Sequence, residues 1–190
     1  MSSEQQASGP AKRWPDVPAC YGWLSLDRRG VWRLQGEPVV HAGLNAFIGQ
    51  NYRRDESGCW VVHNGPQKVF VSLDYAPWVF RLMPDGTLLT HTGLAAGRPE
   101  SAYIDEEGAM LFVTPVGPGL LDDRDLARML ADCVTASGDG LDELVLEQAM
   151  EGRVVLFWRG VQIDTLRRET VAARFDFVAK PLAPDSALLT

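Results

Sequence analysis

The sequence lacks the patterns that identify most membrane and secreted proteins. It contains no run of about eighteen apolar residues that could cross a membrane, and residues 1–12 lack the apolar core of a signal peptide. The cysteines Cys20, Cys59 and Cys133 are odd in number and widely spaced, which argues against a disulfide framework. We therefore expect a cytoplasmic protein without a membrane partner.

The charge balance argues against another class of partner. The net charge is −7, and the basic residues occur as isolated pairs such as Arg28-Arg29 and Arg53-Arg54. Nucleic-acid-binding proteins usually carry a clustered positive surface that neutralises phosphates. The sequence therefore predicts no nucleic-acid partner.

Catalytic and metal-binding motifs are also lacking. The histidines His41, His63 and His91 stand alone, and no H-E-x-x-H or C-x-x-C spacing gathers metal ligands. No G-x-S-x-G, G-x-G-x-x-G or P-loop pattern is present. We assign no catalytic residue, no metal and no cofactor from the sequence.

Residues 21–62 show the pattern of a hairpin, a helix and a further strand. Side chains alternate in character on both sides of Asp27-Arg28-Arg29-Gly30, as in two strands joined by a short turn that ends in glycine. An amphipathic helix is predicted next, ending at Asp55-Glu56-Ser57-Gly58. Its buried side is predicted to comprise Leu44, Phe47, Ile48 and Tyr52.

Part of this order returns about eighty residues later. Leu26 to Trp32 is matched by Ile104 to Met110, with an apolar residue, Asp, a charged pair, Gly and an apolar pair in each. A second helix follows, with Asp122 placed to cap it. Its predicted buried stripe is Leu126, Met129, Leu130, Cys133 and Val134. The match indicates either an internal repeat of hairpin plus helix or two independent copies of a common turn.

Short strands with turn signals at near-regular spacing predict curved antiparallel sheets. We expect an α+β fold with two small related lobes, each a curved antiparallel sheet packed on one helix. The expected divisions are a disordered tail (1–13), an N-terminal lobe (14–92), a C-terminal lobe (93–181) and a loose tail (182–190). Trp14-Pro15 is expected to lie across the fold as a clasp. Residues 141–150 favour a helix, although a strand also fits them.

The most site-like segment is the turn from His63 to Gln67. Asn64 and Gln67 offer amide donors and acceptors beside the imidazole of His63 and the ring of Trp60, a combination that small-molecule pockets use. We take these four residues as a candidate binding site. The alternative is a hairpin turn in which Asn64 satisfies its own backbone.

Several segments carry a resemblance to known families. The sequence resembles an uncharacterised proteobacterial family of unknown function over roughly residues 14–181. Residues 30–39 are similar to the hairpin of a second uncharacterised bacterial family, whose members are α+β proteins of two lobes. The first resemblance is carried by Trp14-Pro15, Pro18 to Leu24, Leu26-Asp27, Gly30, Trp32, Asn51-Tyr52, Gly58-Cys59-Trp60, Asn64 to Gln67, Asp122 to Leu126 and Phe175 to Val178. The second implies two lobes here, and neither implies an activity.

Two functions fit these observations. The first is a non-enzymatic cytoplasmic module that binds a small molecule or a protein, for which a homodimer through an exposed sheet edge is one form. The second is an enzyme that uses His41 or His63 with a nearby carboxylate such as Asp27 or Asp55. The lack of catalytic spacing favours the first.

Overall fold

The structure is a computed structural model that describes residues 17–184. These residues form two mixed β-sheets and four α-helices, so the α+β class is confirmed. The predicted disordered tail (1–13), the Trp14-Pro15 clasp and residues 185–190 of the predicted loose tail lie outside the described residues.

Six strands form the first sheet. They are β1 (Ala19–Leu26), β2 (Trp32–Leu34), β3 (Glu37–Pro38), β4 (Tyr52–Arg54), β5 (Trp60–Asn64) and β6 (Gln67–Leu73). Their order across the sheet is β3-β2-β1-β6-β5-β4. All neighbours are antiparallel except β1 and β6, which run parallel with Leu26 opposite Leu73.

Eight strands form the second sheet. They are β7 (Trp78–Leu82), β8 (Leu88–Thr90), β9 (Ser101–Ile104), β10 (Met110–Thr114), β11 (Gly117–Leu121), β12 (Cys133–Thr135), β13 (Leu156–Trp158) and β14 (Val161–Thr165). Their order is β12-β13-β14-β9-β10-β11-β7-β8. The pairs β9 with β14 and β7 with β11 are parallel. The prediction of purely antiparallel sheets was therefore wrong, because strands distant in sequence meet side by side in both sheets.

Six strands of the second sheet repeat the order of the first. The order β11-β10-β9-β14-β13-β12 matches β3-β2-β1-β6-β5-β4, with the parallel pair at the same place in each. The helix α1 (Ala42–Asn51) joins β3 to β4, and α2 (Asp123–Ala131) joins β11 to β12. The second half adds β7 and β8, a helix α3 (Glu143–Met150) and, after a 3-10 turn, α4 (Val171–Arg174). Helix α3 confirms the helical alternative for residues 141–150.

The matching Asp-x-x-Gly turns have the same hydrogen bonds. The Asp27 carboxylate accepts from the backbone N–H groups of Arg29 and Val31, both at 2.9 Å. The Asp105 carboxylate accepts from the backbone N–H groups of Glu107 and Ala109, at 2.9 and 2.7 Å. Such a side chain satisfies the turn's own backbone, so each hairpin is specified locally. Asp55 forms a third turn of this kind between β4 and β5.

The structure corrects the ends of both predicted helices. Helix α1 ends at Asn51, and Tyr52 begins strand β4. Cys133 and Val134 belong to strand β12, where Val134 is 38% exposed. Each helix is followed, within one residue, by a strand whose first side chain is also buried, so the buried positions continue the helical spacing past the true end.

One continuous core joins the two sheets. Ile48 is fully buried, and Leu44 and Phe47 pack against the same core. The chain leaves the first sheet at Leu73 and enters the second at Trp78, since β7 and β8 both belong to the second sheet. The division into lobes at residues 92 and 93 stays a prediction. Within residues 17–184 no helix combines the length and the apolar character needed to cross a membrane.

Candidate functional site

A cavity of about 540 Å³ opens between the first hairpin, helix α1 and the loop after β8. We call it the α1 groove. Its volume falls in the range of small-molecule sites. It is lined by Gly30, Val31, Trp32, Val39, Asn45, Ala46, Gly49, Gln50, His91, Thr92 and Leu94. Two stretches that are far apart in the sequence, residues 30–50 and 91–94, therefore build it.

His91 is the only ionisable side chain among the described residues that line the α1 groove. Its Nδ1 accepts from the Val79 backbone N–H at 3.3 Å, which leaves the proton of the neutral ring on Nε2. Burial lowers the pKa of His91 to about 3, against a smaller opposing effect of Asp27. The imidazole is therefore neutral at physiological pH.

Aromatic rings surround this imidazole. The ring centroids of Trp32, Tyr52 and Trp78 lie 4.9, 5.9 and 5.6 Å from that of His91. The Nε2 atom of His91 is buried and has no hydrogen-bond partner in the described part of the chain. His91 as a whole is partly exposed, but the Nε2 atom at the tip of its ring is not accessible to solvent. An apolar, aromatic floor for the groove results.

Gly30 lets the first hairpin approach His91 closely. A Cβ atom at this position would lie 2.5 Å from the Cβ of His91, and the φ angle of Gly30 is +76°. Both the space and the backbone conformation therefore require glycine. The turn glycine of the sequence motif thus also forms one wall of the α1 groove.

The rim of the α1 groove is apolar and uncharged. Val31 is 36% exposed and Leu94 52% exposed, and Val40, which follows the lining residue Val39, is 89% exposed. Helix α1 carries no Asp, Glu, Lys or Arg. Sequence reasoning missed this groove, although a surface helix of ten residues without a charge was a visible signal.

The four residues of the predicted binding site lie elsewhere and do not all face one way. His63 and Asn64 end β5, and Gln67 begins β6 across the turn. Asn64 Nδ2 donates to Gln67 Oε1 at 3.3 Å, and Gln67 Nε2 donates to the Val17 carbonyl at 2.6 Å. Trp60 points into the core, where its ring lies 4.7 Å from that of Tyr52. A binding role for this turn stays a prediction.

The residues offered for an enzyme have structural contacts. His41 caps α1 by accepting from the Leu44 N–H at 3.1 Å. The Asp27 carboxylate accepts from two backbone N–H groups of its turn and from Arg33 at 3.0 Å. Asp55 accepts from its own turn and lies 3.9 Å from Lys68. None of these residues lines the α1 groove.

A buried charge network fastens α2 to β7. Asp125 is 4% exposed and accepts from Arg81 Nε at 2.7 Å and from the Leu82 backbone N–H at 3.0 Å. Burial works to raise the pKa of Asp125, but these bonds and Arg128 outweigh it and hold the pKa below its usual value. The neighbouring Asp122 caps the helix as predicted. Asp122 to Leu126 is one of the segments that carry the family resemblance, and two of its residues, Asp122 and Asp125, cap α2 and bind it to β7.

The cysteines and acidic residues offer no alternative centre in the described chain. All three cysteines are reduced and buried, and burial raises the pKa of the Cys133 thiol to about 12. Among residues 17–184, no group of three or more His, Cys, Asp or Glu is placed to share a metal ion.

Two crystal structures from a further family resemble this fold. A DUF1285 family protein from Silicibacter pomeroyi DSS-3 is 18% identical, with a TM-score of 0.52 over 84% of this chain and 88% of that chain. A DUF1285 family protein from Shewanella baltica OS155 is 14% identical, with a TM-score of 0.38 over 56% of this chain and 88% of that one. The first likeness supports the fold alone.

Comparison with characterised sequences leads to a family but not to an activity. No curated protein matches the sequence. Residues 4–182 match a family described as "Protein of unknown function (DUF2946)", as the resemblance predicted. Because this match spans most of the chain, the protein belongs to that family of unknown function.

Proposed function

We propose that the protein is a non-enzymatic module that binds an uncharged, largely apolar small molecule in the α1 groove. One observation carries the proposal. A cavity of about 540 Å³ is lined, among the described residues, without a single charged side chain, and its one titratable group is held neutral by burial. A charged ligand would lose its hydration there and find no opposite charge.

The groove supplies a few polar groups around an apolar floor. Trp32 and Val39 provide apolar surface, while Gln50, Thr92 and the side-chain oxygen of Asn45 provide donors or acceptors. The Asn45 amide is fixed because its Nδ2 donates to the Val39 carbonyl at 2.8 Å. Fixed polar groups beside aromatic and aliphatic walls are typical of small-molecule sites.

Ligand screening with a blocked groove tests the proposal. Ala46 lies on the exposed side of α1 and lines the groove, so Ala46→Trp should fill the entrance without disturbing the core. Ala127 is equally exposed on α2, and Ala127→Trp is the matched control. Fragments found by ligand-observed NMR should be mainly uncharged, should be lost with Ala46→Trp and should be retained with Ala127→Trp. Hits that persist in Ala46→Trp would refute the assignment.

Several broader features belong to the same proposal. We infer that the two halves are related copies of one unit, each with a helix joining its third and fourth strands, because the strand order and directions coincide. We expect the module to act in the cytoplasm, without nucleic acid or membrane partners. A protein partner or a homodimer through a sheet edge is a further expectation, which light scattering of the full chain would test.

A further inference from the structure

A second cavity, of about 490 Å³, lies on the other side of the segment 86–99. We call it the arginine cavity. Its apolar wall includes Leu88, Trp158 and Val161. Arg98 and Arg159 also line it, and the described lining includes no Asp or Glu. The lining is therefore positively charged, although the chain as a whole has a net charge of −7.

The guanidinium of Arg159 is held in place before any ligand arrives. It donates to the Gly86 carbonyl at 3.2 Å, pairs with Asp132 at 3.0 Å and lies 5.1 Å from the centroid of the Trp158 ring. A Cβ atom at Gly86 would come within 1.6 Å of this guanidinium, so a side chain at this position would displace it. A fixed cation binds an anion with little further loss of conformational freedom.

Arg98 supplies positive charge that is in no ion pair within the described part of the chain. It is exposed, it contacts the Arg159 carbonyl at 3.4 Å, and it forms no ion pair with any described residue. Asp132 pairs with Arg159, and the carboxylate of Asp85 also interacts with Arg159 electrostatically, so Arg98 is the cation left unpaired beside the cavity among the described residues. A single negative charge on a ligand complements this arrangement.

Trp158 gives the cavity an aromatic wall whose indole N–H is buried. The residue is 2% exposed, and its indole Nε1 is buried without a hydrogen-bond partner within residues 17–184. Buried indole N–H groups usually find an acceptor. The ring forms part of the cavity wall, so a ligand that packs on it changes the surroundings of this N–H.

We propose that the arginine cavity binds a small monocarboxylate with an apolar body. The carboxylate lies against Arg98 and Arg159, and the body packs on Trp158, Leu88 and Val161. This site is separate from the α1 groove and does not depend on its function. The two sites differ in the ligands they select: the arginine cavity takes an anion, and the α1 groove takes an uncharged molecule.

Titration of the ¹⁵N-labelled full chain tests the site. The probes are octanoate and indole-3-acetate, each compared with its neutral primary amide. The indole resonance of Trp158, assigned with Trp158→Phe, should shift saturably with the carboxylates, and the amides should bind at least ten-fold more weakly. If Trp158→Phe does not fold, the Trp158 resonance is identified as the native indole signal that Ala95→Trp shifts most, because Ala95 is exposed and lines the same cavity.

Charge variants make the test specific. Arg98→Gln should weaken carboxylate binding at least five-fold without changing the melting temperature, and Ala95→Trp should abolish binding. Arg53→Gln removes the same charge from the first sheet and should bind as the native protein does. Equal affinity for acid and amide, equal effects of the two arginine variants, or no saturable shift would each overturn the proposal. Carboxylate shifts confined to Trp32 would overturn this site and the uncharged-ligand proposal together.

Discussion

Lowering the pH from 7 to 5 should destabilise the protein through the side chain of His91. In the unfolded chain the imidazole has its ordinary pKa of 6.5, whereas burial lowers it to about 3 in the folded state. Between these two values the unfolded state binds the additional proton, so stability rises with pH. The contribution is complete above the unfolded pKa and is lost as the pH falls towards the folded one.

The size of this effect follows from proton linkage. With pKa values of 6.5 unfolded and about 3 folded, the free energy of unfolding falls by about 2 kcal/mol between pH 7 and pH 5. The result hardly changes for any folded pKa below about 4, because the folded state then stays unprotonated at pH 5. The effect depends on the low folded-state pKa of His91, which results from its burial among aromatic rings.

Urea unfolding at both pH values measures the effect directly. His91→Asn is the informative variant, since its side-chain oxygen can accept from the Val79 N–H in place of Nδ1 while the group cannot titrate. The native protein should lose about 2 kcal/mol more than His91→Asn on acidification. His63→Asn is the control and should retain the loss due to His91. Equal losses in the native protein and His91→Asn would show that the buried, neutral imidazole is wrongly assigned.

Four further substitutions test the packing and turn arguments by urea unfolding. Asp125→Asn should cost about 1–3 kcal/mol, because it weakens the charged bonds that fasten α2 to β7; an unchanged stability would mean that the network is not stabilising. Asp105→Ala should lower the free energy of unfolding by about 2–4 kcal/mol, because the buried carboxylate accepts from Tyr75 and from two N–H groups of its turn. Tyr75→Phe removes only the first of these bonds and should cost about 1 kcal/mol. Equal costs for the two variants would contradict the role of Asp105 in the turn. Gly119→Ala should cost about 1–3 kcal/mol, because a Cβ atom would lie 2.3 Å from the buried ring of Phe80, and a neutral outcome would show that the ring moves freely.

The hairpins and the start of α2 could be predicted because their causes are local. The side chains of Asp27 and Asp105 bond to backbone groups two and four residues on, and Asp122 caps the helix that follows it. Each of these signals lies within one short stretch of sequence. The same turn at Asp55 was missed as a hairpin, because the helical spacing of Tyr52 concealed the strand before it.

The sheet order and the groove could not be predicted because they depend on distant contacts. Nothing local in β1 specifies that it runs parallel to β6, about fifty residues later. His91 has the sequence context of an ordinary strand histidine, and only the approach of Gly30 and Trp32 from another hairpin buries it. The pKa of His91 is a property of that assembly, so single-residue patterns do not contain it.

The two cavities also share a physical origin that the repeat makes visible. Strands β7 and β8 have no counterpart in the first sheet, and the segment 86–99 around β8 lines both cavities. His91, Thr92 and Leu94 line the α1 groove, whereas Leu88, Ala95 and Arg98 line the arginine cavity. The repeated strands and their Asp turns provide stability, and the added segment shapes the sites. Changes at exposed positions of this segment, such as Leu94 and Ala95, should therefore alter binding more than stability, whereas loss of the Asp105 turn should do the reverse.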